Sequence, residues 1–537
     1  MMGTKIRDFT PLPNLSLEEL VPKDNFYRRL LATLDLSFVR ELVRDCYASS
    51  GRPSVDPVIF FRLQLVMFFE NIRSERQLME VAADRLSIRW YLGYDLHEPL
   101  PDHSSLTRIR ERYGLESFRG FFERIVEMCV EAGLVRGEEL FFDSTKVKAN
   151  ADIDSLASRF LVETHLSGLF EESSTPEASV TEPSAGTDLD TLPTSEDETL
   201  IATNAGKSDW ISRAGKQDRY FTSGPRKRIS DLRVSTTDPD ATPMLMGEGE
   251  AKLGYQTHYG VDGGKARIIL AALVTPYEVS ENRPMLDLLW RSCFRWRIWP
   301  QHVTGDGKYG TAENVSGIEQ ANIRAFVGLH RSGGRLNIFG REDFTYDPKE
   351  DVYVCPAGKL LRPLGKKKGE EECEEKVTTY RAKASSCKTC KLRPRCTSNK
   401  LGRTLRRGPF EGHLDRVRNY AGTPSYEKAL RKRRVWVEPL FGEAKDWHGM
   451  RRFRLRRLEK VNIEALLIAS GQNMKRLLAY RGHRPKKLAQ AAALRPPAAT
   501  SHEISRARKH LERRCRWSTR AFFNRLDRFW YIRNMRL

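Results

Sequence analysis

Residues 138–147 read EELFFDSTKV, and the reading of this stretch decides the fold. Leu140, Phe141 and Phe142 form a short apolar run of the kind that makes a buried strand. Asp143 follows them directly, and nothing in a strand of that composition gives a carboxylate a local role, although for any one such acid a turn cap or a surface salt bridge is the plainer reading. Acids at strand ends and on a covering helix converge at the edge of an α/β sheet, where ligand sites form.

Downstream, the period alternates. Strands are predicted at Leu253–Val261 (LGYQTHYGV), Arg267–Thr275, His302–Asp306 (HVTGD) and Ile323–Leu329 (IRAFVGL), with helices at about Glu281–Trp296 and Thr311–Gln320. Strands alternating with helices predict an α/β sheet with some parallel pairing. Asp306 ends one of these strands, and Gly307 and Gly310 after it permit a sharp backbone turn. Helix is predicted again at Ser425–Arg434, continuing through Glu438 to Lys445 with Pro439 as a point where it starts anew or kinks, and an apolar amphipathic helix at Val461–Leu478 closes the core.

Upstream, residues 15–135 read as helical. Asp24–Leu34 and Ser37–Tyr47 have helical spacing, and Val55–Phe69 (VDPVIFFRLQLVMFF) is apolar on nearly all sides. Ser74–Ala83, the basic Ser104–Tyr113 and Glu116–Leu134 complete the series. Short helices with a basic one late in the order fit either a helix-turn-helix reader of DNA or a bundle that packs and dimerises.

Two stretches interrupt the sheet region. Residues 167–206, rich in Ser, Thr, Glu, Asp and Pro, read as an acidic low-complexity insertion, either an inert linker or a shield for a basic surface. Residues 331–415 form a second insertion, with a charged turn at Lys366–Glu375. It holds Cys387, Cys390 and Cys396 as C-x2-C-x5-C (CKTCKLRPRC), with Cys355 before them in VCPAG. Four thiolates from two turns can enclose a structural Zn²⁺; reduced, unligated thiols are the other reading. Cys373 is a weaker ligand candidate, and Cys46, Cys129, Cys293 and Cys515 read as buried or incidental. Beyond Arg481 the chain is a basic extension.

The 537 residues carry a net charge of +21. Neutralising phosphates releases counterions, so nucleic acid is the first partner to expect, although a plain soluble basic surface has the same composition. Met1–Thr10 lacks an apolar signal core, and no apolar run nears the ~20 residues of a membrane span, so a cytosolic protein without a membrane partner is expected.

Glu438 is the third acid without a local role, in the mainly apolar VWVEPLFGEAK (435–445). Crowded carboxylates repel one another, and a divalent cation relieves that repulsion. Two metals about 3.5–4 Å apart serve phosphodiester chemistry, and Mg²⁺ suits such a cluster because it leaves room for phosphate and water.

On these residues the chain resembles the DDE transposases of bacterial insertion sequences. PVIFFRLQLVMFFENIRSERQLMEVAADRLSIRWYLGY (57–94) is similar to their N-terminal domain, and FFDSTKVKAN (141–150) to the strand of their first aspartate. VSTTDPDA (234–241) with LGYQTHYGVD (253–262) is similar to the run into the second strand, and TGDGKYGT (304–311) to the second aspartate motif. Arg434, Glu438 and Lys445 fit the family's glutamate spacing, with Arg431 where the family has Tyr.

The resemblance implies a ribonuclease H-like mixed sheet with flanking helices over 136–480. An all-α domain at 15–135 precedes it, the Cys-containing insertion interrupts it, and a basic extension at 481–537 follows. It implies that Asp143, Asp306 and Glu438 are catalytic and hold Mg²⁺ or Mn²⁺, with Arg434 and Lys445 at the phosphates on the face of Glu438 if the helix is continuous. It also implies double-stranded DNA as partner (terminal inverted repeats and target), a homodimer, and the bacterial cytosol as location, in contact with the nucleoid.

Arg451–Lys460 (RRFRLRRLEK) interleaves arginines with Phe453 and Leu455, so Arg451, Arg452 and Arg454 are further candidates for phosphate contact. Glu443, Asp446, Asp152, Asp154 and Asp262 compete as acids. The other functions to weigh are a related nuclease without strand transfer, and a domesticated or inactive DNA-binding protein of the same fold.

Overall fold

The computed structural model describes residues 16–48, 54–158, 233–246, 250–329, 338–364 and 377–481. The acidic stretch 167–206, the turn at Lys366–Glu375, Cys373, Cys515 and the extension beyond Arg481 lie outside them. The described residues divide into two compact units. The first holds those up to 136, 143–283 and 436–481; the second holds 137–142 and 284–435.

The first unit opens with seven helices: α1 (Leu17–Leu20), α2 (Phe26–Thr33), α3 (Phe38–Leu42), α4 (Pro57–Phe69), α5 (Glu75–Asp84), α6 (Leu86–Leu92) and α7 (His103–Glu131). Helix α4 starts where Asp56 accepts the Val58 N–H at 2.8 Å and Pro57 supplies a fixed φ. Its apolar residues face neighbours on all sides, and Phe60, Phe61, Leu63 and Val66 are fully buried. Helix α7 contains Gly114 at φ 62° and ψ 178°, so it is two helices across a kink, matching the separate segments read around it. The short α1 and α6 were not anticipated.

Strand β1 (Glu139–Lys148) starts in the second unit and ends in the first. Within the first unit lie β2 (Leu156–Ser158) paired with β3 (Arg233–Ser235), and the antiparallel β4 (Thr242–Leu245), β5 (Ala251–Asp262) and β6 (Ile269–Pro276). Parallel and antiparallel pairs both occur, so the main sheet is mixed.

In the second unit, α8 (Met285–Trp296) leads to β7 (His302–Gly305), α9 (Ala312–Gln320) and β8 (Arg324–Val327). Strand β7 pairs in parallel with both the start of β1 and β8. A separate five-stranded antiparallel sheet follows, from β9 (Thr345–Asp347), β10 (Val352–Val354), β11 (Leu360–Pro363), β12 (Thr378–Ala382) and β13 (Thr404–Arg407), with α10 (Ala384–Lys388) after β12. No strand was anticipated there. Then come α11 (Glu411–Tyr420) and α12 (Pro424–Trp436); α13 (Glu438–Trp447) and α14 (Leu458–Arg481) return to the first unit.

Helix α14 seals the open edge of β6. Asn462 accepts the Val274 N–H at 2.8 Å and donates to the Val274 carbonyl at 3.0 Å. Asn473, three turns on, does the same to Ile269 at 2.9 and 2.8 Å. Two amides spaced by helical turns thus satisfy edge backbone groups that would otherwise be buried without partners.

Candidate active site

Asp143 is buried on β1, 8% exposed, and its Oδ1 accepts the Ser144 N–H at 2.9 Å. The backbone beside it is pinned through Ser144, whose hydroxyl donates to Glu281 and accepts from Gln256 Nε2, both at 2.8 Å. Neither Glu281 nor Gln256 was singled out in the sequence; each lies more than a hundred residues away.

Asp306 is half-buried just after β7, where its Oδ1 accepts the Lys308 N–H at 2.9 Å and caps a single turn. Within the second unit, Phe141 of β1 faces Thr304 of β7 in parallel register, and Asp306 follows just after β7. The glycines after Asp306 act differently from expectation. Gly310 has an ordinary φ of −75°; what it supplies is space, since a Cβ there would lie 2.1 Å from the Gly328 carbonyl oxygen.

Glu438 is exposed and is the first residue of α13. The expected continuous helix does not form: α12 ends at Trp436 and α13 begins after Val437. Pro439 explains the break, because it has no N–H to give and its ring clashes with the carbonyl four residues back. Arg434 is therefore on a different helix from Glu438, exposed in the last turn of α12.

Lys445 shares α13 with Glu438. Seven residues are two turns, which returns to the same face within about 20°. The Lys445 ammonium donates to Thr145 Oγ1 at 2.6 Å. Thr145 is two residues past Asp143, so both project from one face of β1. The helix that carries Glu438 is thus tied, through Lys445, to the strand that carries Asp143. Burial pulls the Lys445 pKa down, and the Arg451 charge adds to this.

The competing acids have other work. Glu443 projects from another face of α13 and pairs with Lys475 and Arg476 of α14, at 2.6 and 3.0 Å. Burial pushes its carboxyl up, but bonds to His448 and Lys475 and the Arg476 charge outweigh that and hold it well below the usual range. Asp262 accepts the Arg136 and Gly264 N–H groups, Asp152 caps the turn after it, Asp446 pairs with Arg451, and Asp154 is exposed.

Among the basic candidates, Arg451 and Arg452 are exposed. Arg454 is turned inward and bonds Glu75 of α5 at 3.1 Å, beside Arg110 of α7, which also contacts Glu75. The stretch 449–458 is held further by Arg73, which donates to the Gly449 and Arg452 carbonyls, and by two buried acids from the segment after β3. Asp238 accepts the Arg457 N–H at 2.8 Å and the Tyr255 hydroxyl at 2.6 Å, and Asp240 accepts the Leu458 N–H at 2.7 Å. These carboxylates sit where a helix N-terminus favours negative charge. The motif VSTTDPDA contains them, but their role was not legible without the partners.

In the antiparallel sheet, Cys355, Cys387 and Cys396 pack against one apolar cluster of Phe344, Tyr353, Leu361, Tyr380, Ala382 and Leu405. Burial pushes the Cys396 thiol up, Arg403 draws it down, and Cys387, Cys355 and Cys390 each push it up again.

Among the described residues, no three His, Cys, Asp or Glu side chains stand together as a metal-binding group. The donor chemistry of Asp143, Asp306 and Glu438 fits a hard divalent cation, since all three offer carboxylate oxygen. Among the described residues, no helix is long and apolar enough to cross a membrane.

Residues 15–112 match the family model of a transposase domain, DUF772, and residues 354–478 match that of a transposase DDE domain. The second match includes Glu438 and Lys445 and begins after Asp143 and Asp306. No curated protein and no solved structure matches the chain.

Proposed function

We propose, for a chain that belongs to the DDE transposases of insertion sequences, that Asp143, Asp306 and Glu438 together hold divalent metal and cut and rejoin DNA on a ribonuclease H-like domain. The observation that carries this reading is the Lys445–Thr145 contact, which joins the helix that bears Glu438 to the strand that bears Asp143. Asp306 joins the group on its motif, TGDGKYGT (304–311).

In this reading the oxygen of water attacks the phosphorus at an insertion-sequence end, the P–O3′ bond breaks, and a 3′ hydroxyl is released. That hydroxyl attacks a phosphorus of target DNA, forming a new P–O bond as the target's own P–O3′ bond breaks. When bound, Mg²⁺ or Mn²⁺ would offset the charge of these carboxylates and would stabilise the attacking and leaving oxygens. The three carboxylates would hold the metal, since by themselves they repel a phosphate. In this reading Lys445 meets a phosphate oxygen, and Arg434, Arg451 and Arg452 track the backbone of double-stranded DNA. Arg454 remains with Glu75. A homodimer pairing two ends, in the bacterial cytosol, completes the proposal.

The test uses the full chain, a labelled terminal inverted repeat and target plasmid with Mg²⁺. Nicked ends and joined products are expected. Nicks without joining would leave a nuclease, and tight end binding with neither product would leave a DNA-binding protein.

A further inference from the structure

Cys355, Cys387, Cys390 and Cys396 lie near one another without standing as a ligand group. We infer that these four cysteines draw together on one Zn²⁺ to form a structural site at one end of the five-stranded sheet. The strand register argues for it. Val354 pairs with Leu360, and Leu361 pairs with Ala382. The turn 355–359 between β10 and β11 therefore lies at the same end of the sheet as α10, which begins two residues after Ala382 and carries Cys387. The strand β13 joins at that end too, where the Ala382 N–H meets the Arg403 carbonyl at 3.0 Å. Arg403 in turn donates to the Cys396 carbonyl at 3.0 Å, which ties the last cysteine to the same place.

The local geometry suits sulfur ligands. Cys355–Gly358 is a tight turn with Gly358 at φ +71°, and the Lys359 N–H donates to Cys355 Sγ at 3.2 Å. A backbone N–H aimed at sulfur is the kind of surrounding contact that orients a metal ligand. Gly402, at φ +93°, brings the chain past Cys387: a Cβ there would lie 3.4 Å from its sulfur and 2.7 Å from the Ala382 carbonyl oxygen. The side chains around the cysteines supply the charge. Lys388, Lys391, Arg393 and Arg395 lie between Cys387 and Cys396. Four thiolates on one Zn²⁺ carry a net charge of −2, and such a cation belt offsets it.

The sheet also needs a staple. Its strands are three to five residues long, and six residues make up its buried cluster. So small a core supplies little stability alone. Closing the four sulfurs to about 2.3 Å from one ion would add folding free energy directly. A closed four-sulfur shell leaves no position for water, so the role is structural and separate from the carboxylates.

The experiment measures zinc in the full-length protein, purified under reducing conditions. About one zinc per chain is expected. The Cys387→Ser/Cys390→Ser variant should lose it, while Cys129→Ser, altered in the buried core of the other unit, should keep it. Because the first variant risks misfolding, wild-type protein exchanged with Co²⁺ provides a second readout: an intense sulfur-to-cobalt charge-transfer band with tetrahedral visible bands. Zinc-free protein with all four thiols reactive would overturn the inference. So would a disulfide among the four in metal-free protein, zinc retained by the double variant, or a cobalt spectrum without sulfur bands.

Discussion

Lys445 of α13 and Thr145 of β1 are joined by a 2.6 Å hydrogen bond, two residues past Asp143 and two helical turns past Glu438. If the lysine serves the reaction as well as the packing, Lys445→Met should slow end cleavage at least about tenfold, as loss of a charged donor at a reacting phosphate does. Binding of the inverted repeat should change little. Unchanged cleavage would reduce Lys445 to a clip between helix and strand.

Glu75 faces two arginines at once. It contacts Arg110, which is 3% exposed, and Arg454 at 3.1 Å, and Thr107 donates to its other oxygen at 2.8 Å. Burial, then the Arg454 charge, pulls the Arg110 pKa down to about 9. Glu75→Ala leaves buried cations unpaired, and a loss of roughly 3–5 kcal/mol is expected. Chemical denaturation would measure it; a change under about 1 kcal/mol would mean that water relieves the charge.

His258 is buried on β5, bonded to Thr275 Oγ1 at 2.9 Å, and burial lowers its pKa to about 4. Between pH 6.5 and 4 the unfolded chain binds the proton and the folded chain does not. The stability of the neutral form is therefore complete above pH 6.5 and is lost as pH falls toward 4, by about 3 kcal/mol at most. Denaturation midpoints of wild type and His258→Gln across this window should diverge in slope. Parallel curves would assign the acid sensitivity to other groups.

Gly310 approaches Gly328 so closely that a Cβ has no room. Gly310→Ala should destabilise by about 1–3 kcal/mol through displaced backbone. Gly412 in α11 has nothing within 4 Å of a would-be Cβ, so Gly412→Ala should be neutral or slightly stabilising. Equal melting temperatures for the two variants would show that the loop after β7 yields.

The fold was legible where one segment carried its own signal. Asp56, Pro57 and an unbroken apolar run announce α4, and two phenylalanines before Asp143 announce β1. The five-stranded sheet was missed because strands such as TTYRA and TLRR are too short and too polar to show a period. The roles of Asn462 and Asn473 were hidden because each meets a backbone about 190–200 residues away. Pro439 did signal the break before α13, and the break separates Arg434 from the helix of Glu438. The acids themselves stood out in the sequence, although Asp306 also caps the turn after β7, but their companions Ser144, Gln256 and Glu281 became visible only through contacts.

The most direct measurement is strand cleavage of a labelled insertion-sequence end in Mg²⁺ by Asp143→Asn, Asp306→Asn and Glu438→Gln, beside end binding by the same proteins. If the three carboxylates share one metal-binding task, each variant should lose cleavage by at least about a thousandfold while binding the end as wild type does. Near wild-type cleavage by any one of them would remove that residue from the site and contradict the three-carboxylate centre.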